Sequence, residues 1–113
     1  MSRDCIFCKI GRGEIPANVV YRDDDLVAIE DLAPQAPVHL LVLPLRHYET
    51  VAEGAQADAA LCGRLVAVAA ALGAQRGPDG FRLVVNSGPE GGQTVGHVHV
   101  HVLAGRALGW PPG

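Results

Sequence analysis

The chain is expected to fold as one α+β domain, residues 1–113, on an antiparallel sheet of about five strands with one long helix. Three features carry that expectation: five short apolar stretches with strand patterning, one long stretch with helical spacing, and no regular alternation of strand and helix that would build a parallel sheet. At 113 residues the chain suits a single core that needs no disulfides.

The elements follow in order. VVYRDD and LVAIED read as two short strands joined by an acidic turn, with Asp23, Asp24 and Asp25 as turn formers. PQAP then leads into VHLLVLP, an apolar, partly β-branched run closed by Pro44, which reads as a mostly buried strand. Thr50 with Glu53 three residues later fits a capping box, and Leu61, Leu65, Val68 and Leu72 recur at helical spacing up to Gly73 and Gly77, so one long amphipathic helix is expected in the middle. Beyond the turn GPDG, FRLVVN reads as a fourth strand. The glycine-rich NSGPEGGQTVG separates it from a fifth, HVHVHVLAG.

Composition narrows the function. A net charge of −3 with nine scattered Lys and Arg leaves no broad cationic surface, so long nucleic acids are not expected partners. The opening MSRDCIFCKI has no long apolar run behind its charges, and LVAVAAALGA is too short to cross a bilayer, so neither a membrane anchor nor export is expected. Three cysteines, two of them spaced as Cys5-x-x-Cys8, fit a reducing cytoplasm better than a disulfide framework.

Three of the five histidines crowd into GHVHVHV. On a strand His97, His99 and His101 share one face while Val98, Val100 and Val102 share the other, so the valines can enter a core and the imidazoles a cleft. Imidazoles this close disfavour one another's protonation, and a neutral ring with one nitrogen held by a hydrogen bond is a positioned nucleophile, acid, base or metal ligand. His-x-His with a third histidine also suits an open catalytic zinc site. Gly91, Gly92, Gln93 and Thr94, just ahead of the triplet, offer backbone N–H groups, an amide and a hydroxyl, which suit an anionic phosphate oxygen and favour nucleophilic over metal catalysis.

GGQTVGHVHVHVLAGR resembles the signature of the histidine triad (HIT) family, and the similarity extends to DLAPQAPVHLLVLPLRH, FRLVVNSG and the ending LGWPPG. A third triad histidine and the tail with Trp110, Pro111 and Pro112 resemble the nucleotide-binding, phosphoramidase branch. The resemblance implies a HIT-like fold with a short N-terminal helix and sheets joined across a homodimer, acting on purine nucleoside monophosphate derivatives. It implies hydrolysis of purine nucleoside 5′-phosphoramidates through a nucleotidyl-histidine intermediate, the alternatives being dinucleoside polyphosphate hydrolysis or nucleotide binding with little turnover. Carried over by residue, His99 matches the nucleophile, His101 the phosphate contact at the scissile bond and His39 a residue orienting the triad. Asp31 matches the ribose carboxylate, Leu32 a base-pocket wall, and Asn86, Gly92, Gln93 and Thr94 phosphate or leaving-group contacts. Two positions depart from the branch pattern: Glu30, where a histidine is common, and Gly96, where a larger side chain is common.

Cys5-x-x-Cys8 is spaced as half of a tetrahedral zinc site. With His39, His99 and His101 given other roles, His47 and His97 are the remaining candidate ligands, and the resemblance implies the same set. Two thiolates close such a site to catalytic water, so the zinc is expected to be structural and no catalytic metal is expected.

Overall fold

The computed structural model describes residues 5–113. Helix α1 (Ile6–Gly11) is followed by strands β1 (Val19–Arg22), β2 (Leu26–Glu30) and β3 (Val38–Pro44), helices α2 (Val51–Ala57) and α3 (Ala59–Arg76), and strands β4 (Phe81–Val84) and β5 (Val100–Ala104). The strands form one sheet in the order β1-β2-β3-β5-β4, with every neighbouring pair antiparallel. The expected α+β class, five strands and N-terminal helix are all present.

The expected hairpin forms because Asp23 organises its turn. Its carboxylate accepts from the backbone N–H groups of Asp25 at 2.8 Å and Leu26 at 3.0 Å. Strands β2 and β3 pack on both faces, which is why their sequences read as continuous apolar runs rather than alternating ones. Leu26, Ala28, Leu40, Val42, Val100 and Val102 face α3, meeting Leu65, Ala69 and Leu72. Val27, Ile29, Leu41 and Leu43 face the other way, meeting Phe7 and Ile10 of α1. The sheet thus carries its long helix on one face and its short helix on the other.

Two expectations about element boundaries are corrected. The middle helix is not continuous: Asp58 ends α2 by donating its N–H to Gly54 O at 2.8 Å, and starts α3 by accepting Leu61 N–H on Oδ1 at 3.0 Å. Its own non-helical backbone, φ −155° and ψ 80°, makes the break. Thr50 caps α2 as expected, accepting from Glu53 N–H at 3.1 Å, while the Glu53 carboxylate reaches back to Glu49 N–H rather than to Thr50. The last strand is the second correction, since it starts only at Val100 and leaves His97 in a bend, its N–H on Val95 O at 2.8 Å, and His99 in the irregular segment before the strand. Helix α3 spans 18 residues, so the alanine-rich run belongs to a helix long and apolar enough to cross a membrane; four of its residues pack on the sheet instead.

Candidate active site and metal centre

The alternation of the triad survives where the strand does not. Val98, Val100 and Val102 are buried, the last two against α3, while His99 and His101 turn to the α1 face. There His99 lines a cavity of ≈ 250 Å³ whose walls are Ile6, Phe7 and Ile10 from α1, Ile15 to Ala17, Ile29, Leu41 and Val95, with Glu30, Asp31 and Leu32 at the rim. The walls are apolar and the rim carries the carboxylates, an arrangement suited to a flat, weakly polar ring with a hydroxylated appendage.

His99 is held in one tautomer. Its Nδ1 lies 2.7 Å from the carbonyl oxygen of His97, and a carbonyl only accepts, so the proton sits on Nδ1. The lone pair is left on Nε2. The ring is 5% exposed, and its other face meets the Phe7 ring edge-on at 5.1 Å. No buried side-chain nitrogen among the described residues lacks a hydrogen-bond partner, so Nε2, which has none, opens to the cavity.

His39 and His101 form a chain of fixed direction. The backbone N–H of Gln35 donates to His39 Nδ1 at 3.0 Å, which places the neutral ring's proton on Nε2. Nε2 in turn lies 2.9 Å from His101 Nδ1 and 3.3 Å from a carboxylate oxygen of Asp31. His101 therefore accepts on Nδ1 and carries its own hydrogen on Nε2, 4.9 Å between ring centres from His99. Burial, with the neighbouring His99 and His39 rings, pulls His101 down to about 4; burial also lowers His39, against the pull of Asp31. Asp31, His39 and His101 lie close enough to hold an ion. The Gln35 N–H argues otherwise: a metal on His39 Nε2 would need the proton on Nδ1, where that N–H already points.

The remaining expected residues are more spread. Asp31 accepts Ala33 N–H on its other oxygen at 2.8 Å, and Leu32 is 95% exposed at the cavity rim. Asn86 lies two residues past Val84, the partner of His101, and its amide nitrogen is 3.9 Å from where a Cβ on Gly92 would stand. Gly92 takes φ +85°, open to glycine, and Thr94 is exposed. Gln93 staples the loop: its Oε1 accepts Gly88 N–H, and its Nε2 donates to the carbonyls of Glu49 and Val95. In this arrangement it shapes the loop and presents no free amide hydrogen.

Cys5 and Cys8, paired by their spacing, converge with His47 and His97, the remaining candidates that the family resemblance also implied. Cys5 caps α1, with its sulfur accepting Cys8 N–H at 3.4 Å. Sulfur and Nδ1 atoms stand 3.2 to 3.5 Å apart, and the two Nδ1 atoms 3.2 Å from each other. His97 Nε2 donates to Pro44 O at 2.8 Å and His47 Nε2 faces a Glu49 carboxylate oxygen at 3.5 Å, so both rings keep their proton on Nε2. Two bare lone pairs facing each other repel unless a cation lies between them. The spacing matches the edges, roughly 3.3–3.8 Å, of a tetrahedron with metal bonds of about 2.0–2.3 Å. Without a cation, burial and then Cys5 push the Cys8 thiol up to about 11; an ion would reverse this by favouring the thiolate. The four residues fit a metal.

Sequence reasoning missed the groups that act through main-chain atoms, Gln35 N–H, Pro44 O and His97 O, because no residue type advertises them. It also missed Phe7, whose ring meets both His97 and His99 edge-on. Both departures from the branch pattern find local reasons. Glu30 accepts from Asn18 Nδ2 at 2.6 Å, and a Cβ at Gly96 would stand 2.8 Å from the Glu49 carboxylate that faces His47.

Comparison with known proteins agrees with this geometry. The HIT domain family matches residues 12–108, a span that leaves out Cys5 and Cys8. An uncharacterized HIT-like protein of Synechococcus elongatus is 52% identical over the whole of both chains. The crystal structure of a HIT family hydrolase from Legionella pneumophila superimposes with TM-score 0.81 at 43% identity, covering 97% of this chain and 100% of that one. A zinc-bound histidine triad family protein from Mycobacterium smegmatis gives 0.83 at 30% identity, covering 94% and 78%.

Proposed function

The chain belongs to the HIT domain family, and from that premise we propose that it is a nucleotide-binding hydrolase that cleaves purine nucleoside 5′-phosphoramidates through a nucleotidyl-His99 intermediate. The observation that carries the reading is the bare Nε2 of His99, fixed by the 2.7 Å bond to His97 O and opening into an apolar cavity rimmed by Asp31. The base lies among Phe7, Ile10, Ile29 and Leu41, and the ribose hydroxyls meet Asp31. Hydrolase relatives of similar fold support the reaction class.

Chemistry follows from the tautomers. His99 Nε2 attacks phosphorus, the P–N bond to the amine breaks, and the leaving nitrogen takes up a proton from solvent, because the phosphoryl oxygens of the monoanionic substrate carry none near neutral pH. The ring, now bonded through Nε2 and still protonated at Nδ1, is cationic, and the His97 carbonyl stabilises it. Water then attacks phosphorus, the P–Nε2 bond breaks, its proton goes to solvent, and neutral His99 returns with the monophosphate released. His101 serves as a hydrogen-bond donor to the phosphoryl oxygens: giving up its last N–H would leave an unfavourable imidazolate, so it is not a net acid. Splitting one barrier into two with positioned donors is how such phosphoryl transfers are accelerated.

The Cys5, Cys8, His47 and His97 site holds a structural zinc in this reading, supported by its four converging donors and by the zinc-bound relative. Zinc there would bind the two thiolates and lock α1 to the approach of β5. It takes no part in the steps above. Adenosine 5′-phosphoramidate tests the proposal: His99→Ala should lose turnover while binding adenosine monophosphate as the parent does, and the parent should form an acid-labile adenylyl adduct. Turnover by His99→Ala, or an adduct on another residue, refutes it. A phosphoramidate preferred over a dinucleoside polyphosphate separates this reading from the other hydrolase of the family.

A further inference from the structure

The loop from Asp31 to His39 joins the ribose carboxylate to the histidine chain, and its backbone is tied at each turn. Asp31 Oδ1 accepts Ala33 N–H, Ala33 O accepts from Gln35 Nε2 at 3.0 Å, and Gln35 N–H donates to His39 Nδ1. One residue outside the loop closes this set. Arg106, just past β5, places Nε at 3.2 Å and Nη2 at 3.0 Å on the carbonyl oxygen of Gln35, while Nη1 returns to Ala107 O at 3.0 Å. Gly105, with φ +91°, brings β5 so close to the loop that a Cβ there would stand 2.8 Å from the Pro37 Cβ.

Gln35 is therefore held at both backbone ends, its N–H by a histidine and its C=O by a guanidinium. A forked cation on one carbonyl fixes direction as well as distance, which a point charge does less well. We propose that Arg106 is a positioning residue for the hydrolysis proposed above: by clamping Gln35 it aims the N–H that fixes the His39 tautomer, and through His39 the Nε2–H that His101 offers to the phosphoryl group. The proposal rests on that functional reading for its kinetic half alone. The tautomer half concerns only the resting protein.

Arg106 is exposed, so removing it leaves the core intact. In Arg106→Ala, kcat for adenosine 5′-phosphoramidate should fall about ten- to a hundredfold, the loss expected when a positioned group is misaimed, with KM changed less than about twofold. Arg106→Lys should recover part of the loss. Nitrogen-15 spectra of the histidine rings should show His39 protonated at Nε2 in the parent and a mixture of both tautomers in Arg106→Ala. An unchanged His39 spectrum, or a variant that loses thermal stability while keeping its kcat, overturns the proposal. If the parent turns over no phosphoramidate yet the spectra change as stated, the functional reading falls and the clamp stands.

Discussion

The Nδ1 of His99 meets a carbonyl and the Nδ1 of His101 meets an N–H, so two rings one residue apart carry their hydrogens on opposite nitrogens. One ring presents a lone pair and the other a donor, which is what attack on phosphorus and stabilisation of its oxygens each require. Attack needs a neutral ring, and the donor is held neutral as well. His101 keeps its neutral form down to about 4 because burial and two neighbouring imidazoles oppose a charge. This has a measurable sign. The folded value lies below the ordinary 6.5, so the unfolded chain takes up this proton first as pH falls. Its contribution is intact above about pH 6.5 and is lost between there and about 4, at no more than about 1 kcal/mol per pH unit once solvent screening is allowed for. Urea unfolding at pH 7 and pH 5 should show a smaller stability difference for His101→Asn than for the parent. Equal differences would show that His101 is free to protonate. At the other end of β5, Gly105→Ala should cost about 1–3 kcal/mol, because φ +91° is strained for any residue with a Cβ and Pro37 blocks the space. Chemical denaturation measures that loss directly.

At the scale of elements, α1 is the route by which a metal held at Cys5, Cys8, His47 and His97 would reach the proposed reaction. Cys5 and Cys8 hold the helix whose Phe7 and Ile10 wall the cavity and whose Phe7 ring backs His99. The helix has other anchors, since Arg22 donates to Gly11 O and Phe7 and Ile10 pack on the sheet. Losing the metal should loosen this wall without unfolding the domain. In Cys8→Ser the zinc content should drop from about one per chain toward zero. Adenosine monophosphate should then bind roughly tenfold more weakly, the equivalent of about 1.4 kcal/mol. Metal analysis and titration calorimetry read the two effects, and unchanged affinity in a metal-free variant would detach α1 from the site. The hairpin, the doubly buried β3 and the histidine alternation were legible in the sequence because each is a local pattern of residue types. The break at Asp58 was not, because the capping box at Thr50 and the leucine spacing from Leu61 onward lie on either side of it and read together as one helix, and the signal against that is one capping side chain. The Gln35 to His39 to His101 chain was illegible for a different reason. It begins at a main-chain N–H that only the folded loop brings to His39.

For the whole molecule, the unresolved balance lies on the α3 side. Helix α3 is apolar along 18 residues yet only 22% buried, and Val66 stands 48% exposed upon it. Beside it β4 is an edge strand whose free N–H and C=O groups end the sheet, with Phe81 at its start 38% exposed. An uncovered apolar helix next to an unpaired strand edge is a surface that water disfavours and a second strand can complete. The homodimer implied by the family resemblance would cover both at once, pairing α3 and β4 with the same elements of a second copy. The isologous geometry of a two-fold requires one patch to serve both subunits, and helix and edge strand lie adjacent as that demands. Light scattering should therefore return twice the 11.8 kDa chain mass at micromolar concentration. Val66→Glu should shift the protein toward monomer, because it places a charge where the apolar helix faces its copy; Phe81 is the poorer choice, since its ring also packs against Gly73, whose added Cβ would lie 2.4 Å away. A parent protein that stays at the monomer mass at every concentration would leave α3 without a partner and remove the dimer from this account, while the chemistry at His99, built within one chain, would stand.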